Sequence, residues 1–386
     1  MVQIAGTRGV LPEPSKLNEV VASGAGLDVA KALAAGAVVR DSGRAVYRYH
    51  QVFVDPSGRS VVRKMFVCAV RLEPWTEMLI RPHEATSPAH KAAALAALRA
   101  SPIAPPLVFA GYRDAAAEVE RTFRRVEGEP PTLEVTTPDR TKHRLWRVQN
   151  AELLGKLRHA FAPKKLIVLD GHDRYEALLA HRDELSARRP LATYSSANYA
   201  TMCLVDLEDP ALFVATRARA IRGGGSSQAA LAAAKPYFII EKLAGAAGDL
   251  AKQRAALADT LAHQPALVVA WTGEPDAWKL TLSPDVSPVA VGLAVDRALQ
   301  RLDPIVADQL FVARAMPGAK LDMFATAEQA AEAKPDAIML LRPITIAQIG
   351  HLADIGQVLP AGSTAFSPTL LSALVSSVIE PDEDLV

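Results

Sequence analysis

Apolar positions in this chain follow two rhythms, and the change from one to the other is sharpest near its middle. Leu166, Ile167, Val168 and Leu169 run without a polar interruption, the pattern of a short strand buried on both faces. Asp170-Gly171 stops the run, and from Tyr175 the spacing turns helical, with Tyr175, Leu178, Leu179 and Arg182 on one stripe. The pattern predicts strand, tight polar turn and helix over residues 164–185. Runs at 44–54 and 60–70 flank Asp55-Pro56-Ser57-Gly58 and predict a hairpin. Alanine-rich helices are expected at 27–35, ending at Gly36, and at 91–100. A charged amphipathic helix is expected at about 114–125. Strands are expected at 107–109, 133–135, 143–148, 199–205 and 212–215.

Gly223-Gly224-Gly225-Ser226-Ser227 is the clearest break. It lacks the Lys-Ser/Thr of a P-loop and reads as a flexible connection. Beyond it the pattern predicts strands at 237–240, 266–272, 278–282 and 337–341. Helices are expected at 246–262, 294–316 (broken near Pro304) and 345–355. Two domains follow, 1–222 and 223–386. The class is α/β (α+β), with a mixed sheet in the first domain and a smaller α/β second domain whose tail returns towards the cleft.

Composition narrows the possibilities. Of 386 residues, 43 are basic and 42 acidic, which opposes a dominant nucleic-acid surface. The two cysteines, Cys68 and Cys203, sit inside apolar runs, so neither a disulfide nor a zinc framework is expected. No apolar stretch reaches the ~18 residues that span a bilayer, and a cytoplasmic location is expected.

The turn at 170–174 carries the chemistry. Free N–H groups and the positive dipole end of the helix point at whatever lies above Gly171. His172 and Arg174 can donate charge-assisted bonds to phosphate, and Asp170 and Asp173 can hold a divalent cation. The plainer alternative is a common Asp-Gly turn with Asp170 capping the helix. A second polar turn, His83-Glu84-Ala85-Thr86, precedes the 91–100 helix. There the plain reading is a first-turn charge complementing the dipole, about 0.3–1 kcal/mol.

Asp170-Gly171-His172-Asp173-Arg174-Tyr175-Glu176 resembles the Asp-Gly-His-His-Arg-Tyr-Glu block of a bacterial domain-of-unknown-function family (number ten-fifteen). That family is related to the ADP-dependent free serine kinase and, more distantly, to the ParB-type nucleotide-binding core. His83-Glu84-x-Thr86 resembles its His-Glu-x-Thr box, and Ser363-Thr364-x-Phe366-x-Pro368 its closing block. The His143-x-Leu145-Trp146-x-Val148 strand also matches, which puts His143 and Trp146 among residues that would line the nucleotide or simply pack.

The resemblance implies a ParB/serine-kinase-like first domain and nucleotide-dependent phosphoryl transfer to a small hydroxyl compound, with free L-serine the first acceptor to test. ADP or ATP with Mg²⁺ would be the cofactors. Glu84 would be the general base and His172 a stabiliser of the transferring group. Gly171, Arg174, His83, Thr86, Arg219, Ser363 and Thr364 would meet phosphate or nucleotide, and Asp170 and Asp173 the metal.

The departures run one way. Ala92-Ala93-Ala94 replace polar family residues, Asp173 and Ala218 replace histidines, and Gly362 replaces a lysine. Asp173 would repel phosphate by ~4 kcal/mol at about 4 Å and an effective dielectric near 20, unless a cation intervenes. The alternative function is therefore a catalytically silent binder of a nucleotide or phospho-metabolite. A ParB-like nucleic-acid adaptor ranks third.

Overall fold

A computed structural model describes residues 1–293 and 296–386. The chain divides into two compact units, Met1–Phe213 with Phe366–Val386, and Val214–Ala365.

Among the described residues, nine strands of the first unit form one mixed sheet. Its order is Ile80–Pro82, Leu166–Asp170, Val108–Tyr112, Tyr199–Asp206, Ser60–Arg71, Val46–Val54, Lys142–Val148 and Leu133–Thr136, with Ile4–Ala5 added beside Ser60–Arg71. The Leu166–Asp170 strand pairs parallel with Ile80–Pro82 and antiparallel with Val108–Tyr112. Leu166 to Leu169 are all buried, as an uninterrupted apolar run requires.

Four helices, Pro88–Ala100, Glu118–Phe123, Ala151–Phe161 and His172–Arg188, share a core with one face of this sheet. Leu98, Phe123, Phe161 and Tyr175 pack there with Phe66, Val108, Val168 and Met202. Each such side chain contributes about 1.5–3 kcal/mol by leaving water. The hairpin forms as expected around Gly58, whose φ is +85°. The amphipathic helix is shorter than expected because the Asp114 carboxylate accepts the Val119 N–H (2.9 Å) and Ala117 sits at φ +50°. Helix Ala151–Phe161 was not anticipated; Asn150 caps it and Leu157 and Phe161 bury its inner stripe.

The tail 366–386 belongs to this first unit. Arg63, fully buried, donates to the carbonyls of Ser367 (3.3 Å) and Pro368, and Gln51 to that of Thr369 (2.8 Å). Arg40 pairs with Glu380 (2.7 Å) and Glu383 (2.8 Å).

The second unit is built on a six-stranded antiparallel sheet in the order Phe238–Leu243, Ala277–Leu282, Ala266–Trp271, Ala337–Leu341, Ala218–Arg222, Lys320–Phe324. The boundary therefore falls ahead of the 222/223 position read from the glycine cluster: residues 218–222 are a strand hydrogen-bonded on both sides within this sheet. The helix expected at 294–316 begins only at Asp303, with Pro304 in its first turn. Its first two expected positions, Ala294 and Val295, lie outside the described residues. Among the described residues no helix is long and apolar enough to cross a membrane.

Candidate functional site

The Leu166–Asp170 strand passes through Gly171, at φ +88° and ψ +33°, directly into the His172–Arg188 helix. That left-handed conformation favours glycine, and a second constraint reinforces it. A Cβ on Gly171 would lie 2.5 Å from Arg174 Nη2 and 2.6 Å from its Nε, because the Arg174 guanidinium folds back over the turn. Arg174 Nη2 donates to Asp170 Oδ2 at 2.8 Å. Its Nε is buried and, among the described residues, has no hydrogen-bond partner. A buried donor without an acceptor costs about 1–3 kcal/mol, a cost that an acceptor reached by a shift of this side chain would relieve. Arg174 also lines a cavity of about 390 Å³.

His172 does the opposite of what its motif suggests. Its ring turns into the protein, 4.8 Å from the His83 ring between centroids. His83 Nδ1 donates to the Val168 carbonyl (2.7 Å) and lies 3.1 Å from His172 Nε2. His172 Nε2 is 3.4 Å from the backbone N–H groups of both His83 and Glu84. The same Nε2 lies closer, 3.0 Å, to the Val168 carbonyl, which can only accept, so Nε2 carries its proton and donates there, an assignment drawn from the network. Burial, followed by the neighbouring His83, pushes its pKa down to about 4, so it is neutral at pH 7. The expectation that His172 carries positive charge to a phosphoryl group is corrected: it ties the 83–84 turn to the helix.

Glu84 and His83 are buried in the same knot, with Glu84 Oε1 3.3 Å from His83 Nε2. His83 also meets the edge of Phe366 at 5.9 Å, and Phe366 meets Phe109 at 5.7 Å. Successive helical residues are about 100° apart. Arg174 therefore leaves the helix about 200° from His172, away from the knot.

A second set of bonds fixes the turn. Glu176 accepts from Thr86 Oγ1 (2.7 Å), Trp75 Nε1 (2.9 Å) and Lys91 Nζ (2.8 Å). Burial raises its pKa, but these donors outweigh that and hold it below the usual range. Tyr175 stacks on Trp75 at 4.4 Å and its hydroxyl donates to the Glu73 carbonyl at 2.8 Å. Thr86 and Lys91 are thus committed to Glu176, and Thr86 is a clasp where a phosphate contact was expected.

A protein-family profile matches residues 2–304, most of the chain, and its description is "Protein of unknown function (DUF1015)". This chain belongs to the DUF1015 family. No curated protein matches the sequence. Among solved structures, a conserved hypothetical protein from Pyrococcus furiosus is 12% identical, with 79% of this chain and 93% of that one covered and a TM-score of 0.40. A free serine kinase in complex with AMP is 13% identical (80% and 90% covered, TM-score 0.40). SbnI with a C-terminal truncation, from Staphylococcus aureus, is 12% identical (80% and 86% covered, TM-score 0.40). Likeness of this degree carries no inference about ligand or chemistry.

Three more of the expected site residues of this DUF1015 chain, Arg219, Ser363 and Thr364, lie in its second unit. Arg219 is fully buried and holds Asp308 through Nε (2.6 Å) and Nη2 (3.0 Å), while Nη1 donates to the Arg217 carbonyl (3.2 Å). The phosphate contact expected of Arg219 is instead an internal ion pair. Ser363 is fully buried and donates to the Pro360 carbonyl (2.7 Å), and the Thr364 carbonyl accepts from Arg217 Nε (3.0 Å). In the first unit, His143 Nδ1 is hydrogen-bonded to the Tyr49 hydroxyl (2.7 Å) and Trp146 Nε1 donates to the Glu129 carbonyl (2.7 Å), both internal contacts. Among the described residues no three His, Cys, Asp or Glu side chains gather to cage a metal. Mg²⁺ needs only one or two carboxylates when water and substrate phosphate complete its shell, and exposed Asp170 with partly exposed Asp173 fit that arrangement.

Proposed function

We propose that this protein binds a phosphate-bearing small molecule, with an adenine nucleotide, ADP or ATP, as the first candidate. Its phosphates would sit at the mouth of the His172–Arg188 helix, where backbone N–H groups and the dipole favour anions. Arg174 would supply the charge-assisted bonds, and Asp170 and Asp173 would hold Mg²⁺ against the phosphate oxygens. The observation that carries the reading is the Arg174 guanidinium lying over Gly171 with a buried Nε that lacks an acceptor.

Phosphoryl transfer is the second reading, and the Glu84–His83 pair, 3.3 Å apart, favours it. In that reaction the hydroxyl of an acceptor such as free L-serine gives its proton to Glu84. Its oxygen bonds to the terminal phosphorus as the bond to the bridging oxygen breaks, releasing AMP from ADP or ADP from ATP. Binding ranks ahead of transfer because Glu84 is buried in the knot and Arg174 points away from it.

Calorimetric titration with ADP and ATP, with and without Mg²⁺, tests the binding reading. Arg174→Ala is expected to weaken nucleotide binding about 10- to 100-fold, the scale of a lost charge-assisted hydrogen bond, with no fall in the thermal midpoint. Equal affinity in that variant would overturn it. Phosphoserine formed from serine and nucleotide, and abolished by Glu84→Gln, would move the second reading to first place.

A further inference from the structure

The cavity beside Arg174 is formed by four segments distant in sequence, and its walls are of two kinds. Ala94, Ala97 and Leu98 of one helix, Pro105 and Pro106 of the chain leading to the Val108–Tyr112 strand, and Ala373 of the returning tail are small or aliphatic. Three serines, Ser101, Ser372 and Ser376, interrupt that surface. Ser101 Oγ accepts from the Ile103 N–H (3.3 Å) and keeps its own proton to donate. Ser376 pairs with Val10 through its backbone N–H and carbonyl. Among the described residues neither its hydroxyl nor that of Ser372 has a hydrogen-bond partner. Charge is sparse. Arg174 is the one cation among the lining residues; Asp170 holds its Nη2, while Nε and Nη1 have no acceptor among the described residues. Asp28 is the one acid, and the Lys31 N–H (3.1 Å) and Nζ (3.2 Å) already engage it. Gly24, Asp28, Ala30 and Ala97 are exposed, so one side stays open to water.

At about 390 Å³ the cavity falls within the range of small-molecule sites. At ~30 Å³ per water it has room for about a dozen non-hydrogen atoms. We propose that it binds a small organic acid, with its carboxylate on Arg174, an aliphatic body against the alanines and prolines, and a hydroxyl or carbonyl group met by the Ser372 and Ser376 hydroxyls. A guanidinium with unused donors pairs with a carboxylate through charge-assisted bonds. One cation balances one negative charge, whereas a phosphate dianion would keep a second charge against a largely apolar wall. A seryl hydroxyl both donates and accepts, so it serves a ligand hydroxyl or carbonyl alike. An ammonium group would find no free carboxylate, because Lys31 occupies Asp28, and the Arg174 charge would repel it. The ligand class is therefore a hydroxy or oxo acid in preference to an amino acid. This inference stands apart from the nucleotide reading, whose phosphates lie at the Gly171 turn, and either can fail while the other holds.

The test is a ligand-observed NMR titration of the intact chain with α-hydroxyisovalerate, with isovalerate, which lacks the hydroxyl, and with valine, which carries an ammonium group in its place. The hydroxy acid is expected to saturate below about 10 mM. Isovalerate should bind about three- to tenfold more weakly, the scale of one neutral hydrogen bond, and valine at least about tenfold more weakly. Ser372→Ala combined with Ser376→Ala should bring the hydroxy acid down to the affinity of isovalerate. Isovalerate binding, unchanged in that variant, would show that the fold is kept. Arg174→Ala should remove saturation by both acids. The inference is overturned if no acid saturates, if valine binds as tightly as the hydroxy acid, or if the hydroxy acid keeps its advantage over isovalerate in the double serine variant. Acid binding that survives Arg174→Ala overturns it as well.

Discussion

Arg174 and Arg219 look alike in the sequence: each follows a β-rich run beside a family block, and each was expected to meet phosphate. In the structure they are opposites. Arg174 lies over a glycine turn at the mouth of a helix, shares one nitrogen with a half-exposed aspartate, and keeps a buried Nε without an acceptor. Arg219 stands on a central strand of the second unit with no exposed surface, every nitrogen type engaged and both Asp308 oxygens taken. The first has capacity left for a ligand. The second has spent its capacity on the fold. Residue type and local pattern are the same in both; what separates them is the remainder of the hydrogen-bond inventory, which only tertiary structure fixes.

The largest effect is expected where the inventory is closed. Arg219→Ala leaves Asp308, 16% exposed, without its partner, and breaking a buried pair costs up to about 3–5 kcal/mol. Chemical denaturation should show that loss, and the folded fraction should bind ADP as before. Replacing both partners with apolar residues, Arg219→Met with Asp308→Leu, should recover most of it, since the isolated charge is the expensive element. If Arg219→Ala instead leaves stability intact and weakens nucleotide binding, the contrast between the two arginines is wrong.

His172 is the sealed counterpart of Arg174 on the same helix turn, and its charge state sharpens the comparison. Its folded-state pKa, pushed down to about 4, lies below the unfolded value near 6.5. Between those values the unfolded chain binds more protons, so stability rises with pH across that window and falls on acidification. The slope from one such group reaches at most about 1.4 kcal/mol per pH unit. Buried His143, also pushed down to about 4 mainly by burial, adds to it. His172→Gln should flatten the stability profile between pH 6.5 and 4 relative to the parent. An unchanged slope would mean the ring is charged or exposed, and the inward knot would lose its basis.

Much of the first unit was legible because its strands and hairpin have strong periodicity. The 166–171 run and the 44–70 hairpin both form as the pattern predicts. The Ala151–Phe161 helix has a weaker local signal, Asn150 and the stripe through Leu153, Leu157 and Phe161, set between two stronger strand patterns. The domain boundary misled because three glycines look like a linker wherever they stand, whereas these follow a strand already committed to the second sheet. The return of the tail had no local signal at all: Arg63 and the carbonyls of Ser367 and Pro368 are about three hundred positions apart in the chain. At the site, Gly171 and Arg174 could be read from their own turn. The direction of His172 could not, since the His83 ring and the 83–84 turn it packs against arrive through the parallel pairing of 80–82 with 166–168.

The smallest effect concerns Asp170, which holds Arg174 now and would hold Mg²⁺ when a nucleotide is bound. The Asp170–Arg174 pair is partly solvated, with the aspartate side chain 56% exposed, so it contributes about 0–1 kcal/mol to stability. Asp170→Asn should therefore lower the unfolding free energy by less than about 1 kcal/mol. Its effect on binding should depend on the metal. Without Mg²⁺ the substitution removes a negative charge from the mouth and frees Nη2, so pyrophosphate should bind several-fold more tightly, by calorimetry in the presence of a chelator. With Mg²⁺ the gain should vanish, because the carboxylate that served the cation has gone. Weaker binding in the chelator would mean that Asp170 orients the guanidinium for its ligand and does not compete with that ligand. Arg174 would then be as fixed in place as Arg219, and its unpaired Nε a feature of packing alone.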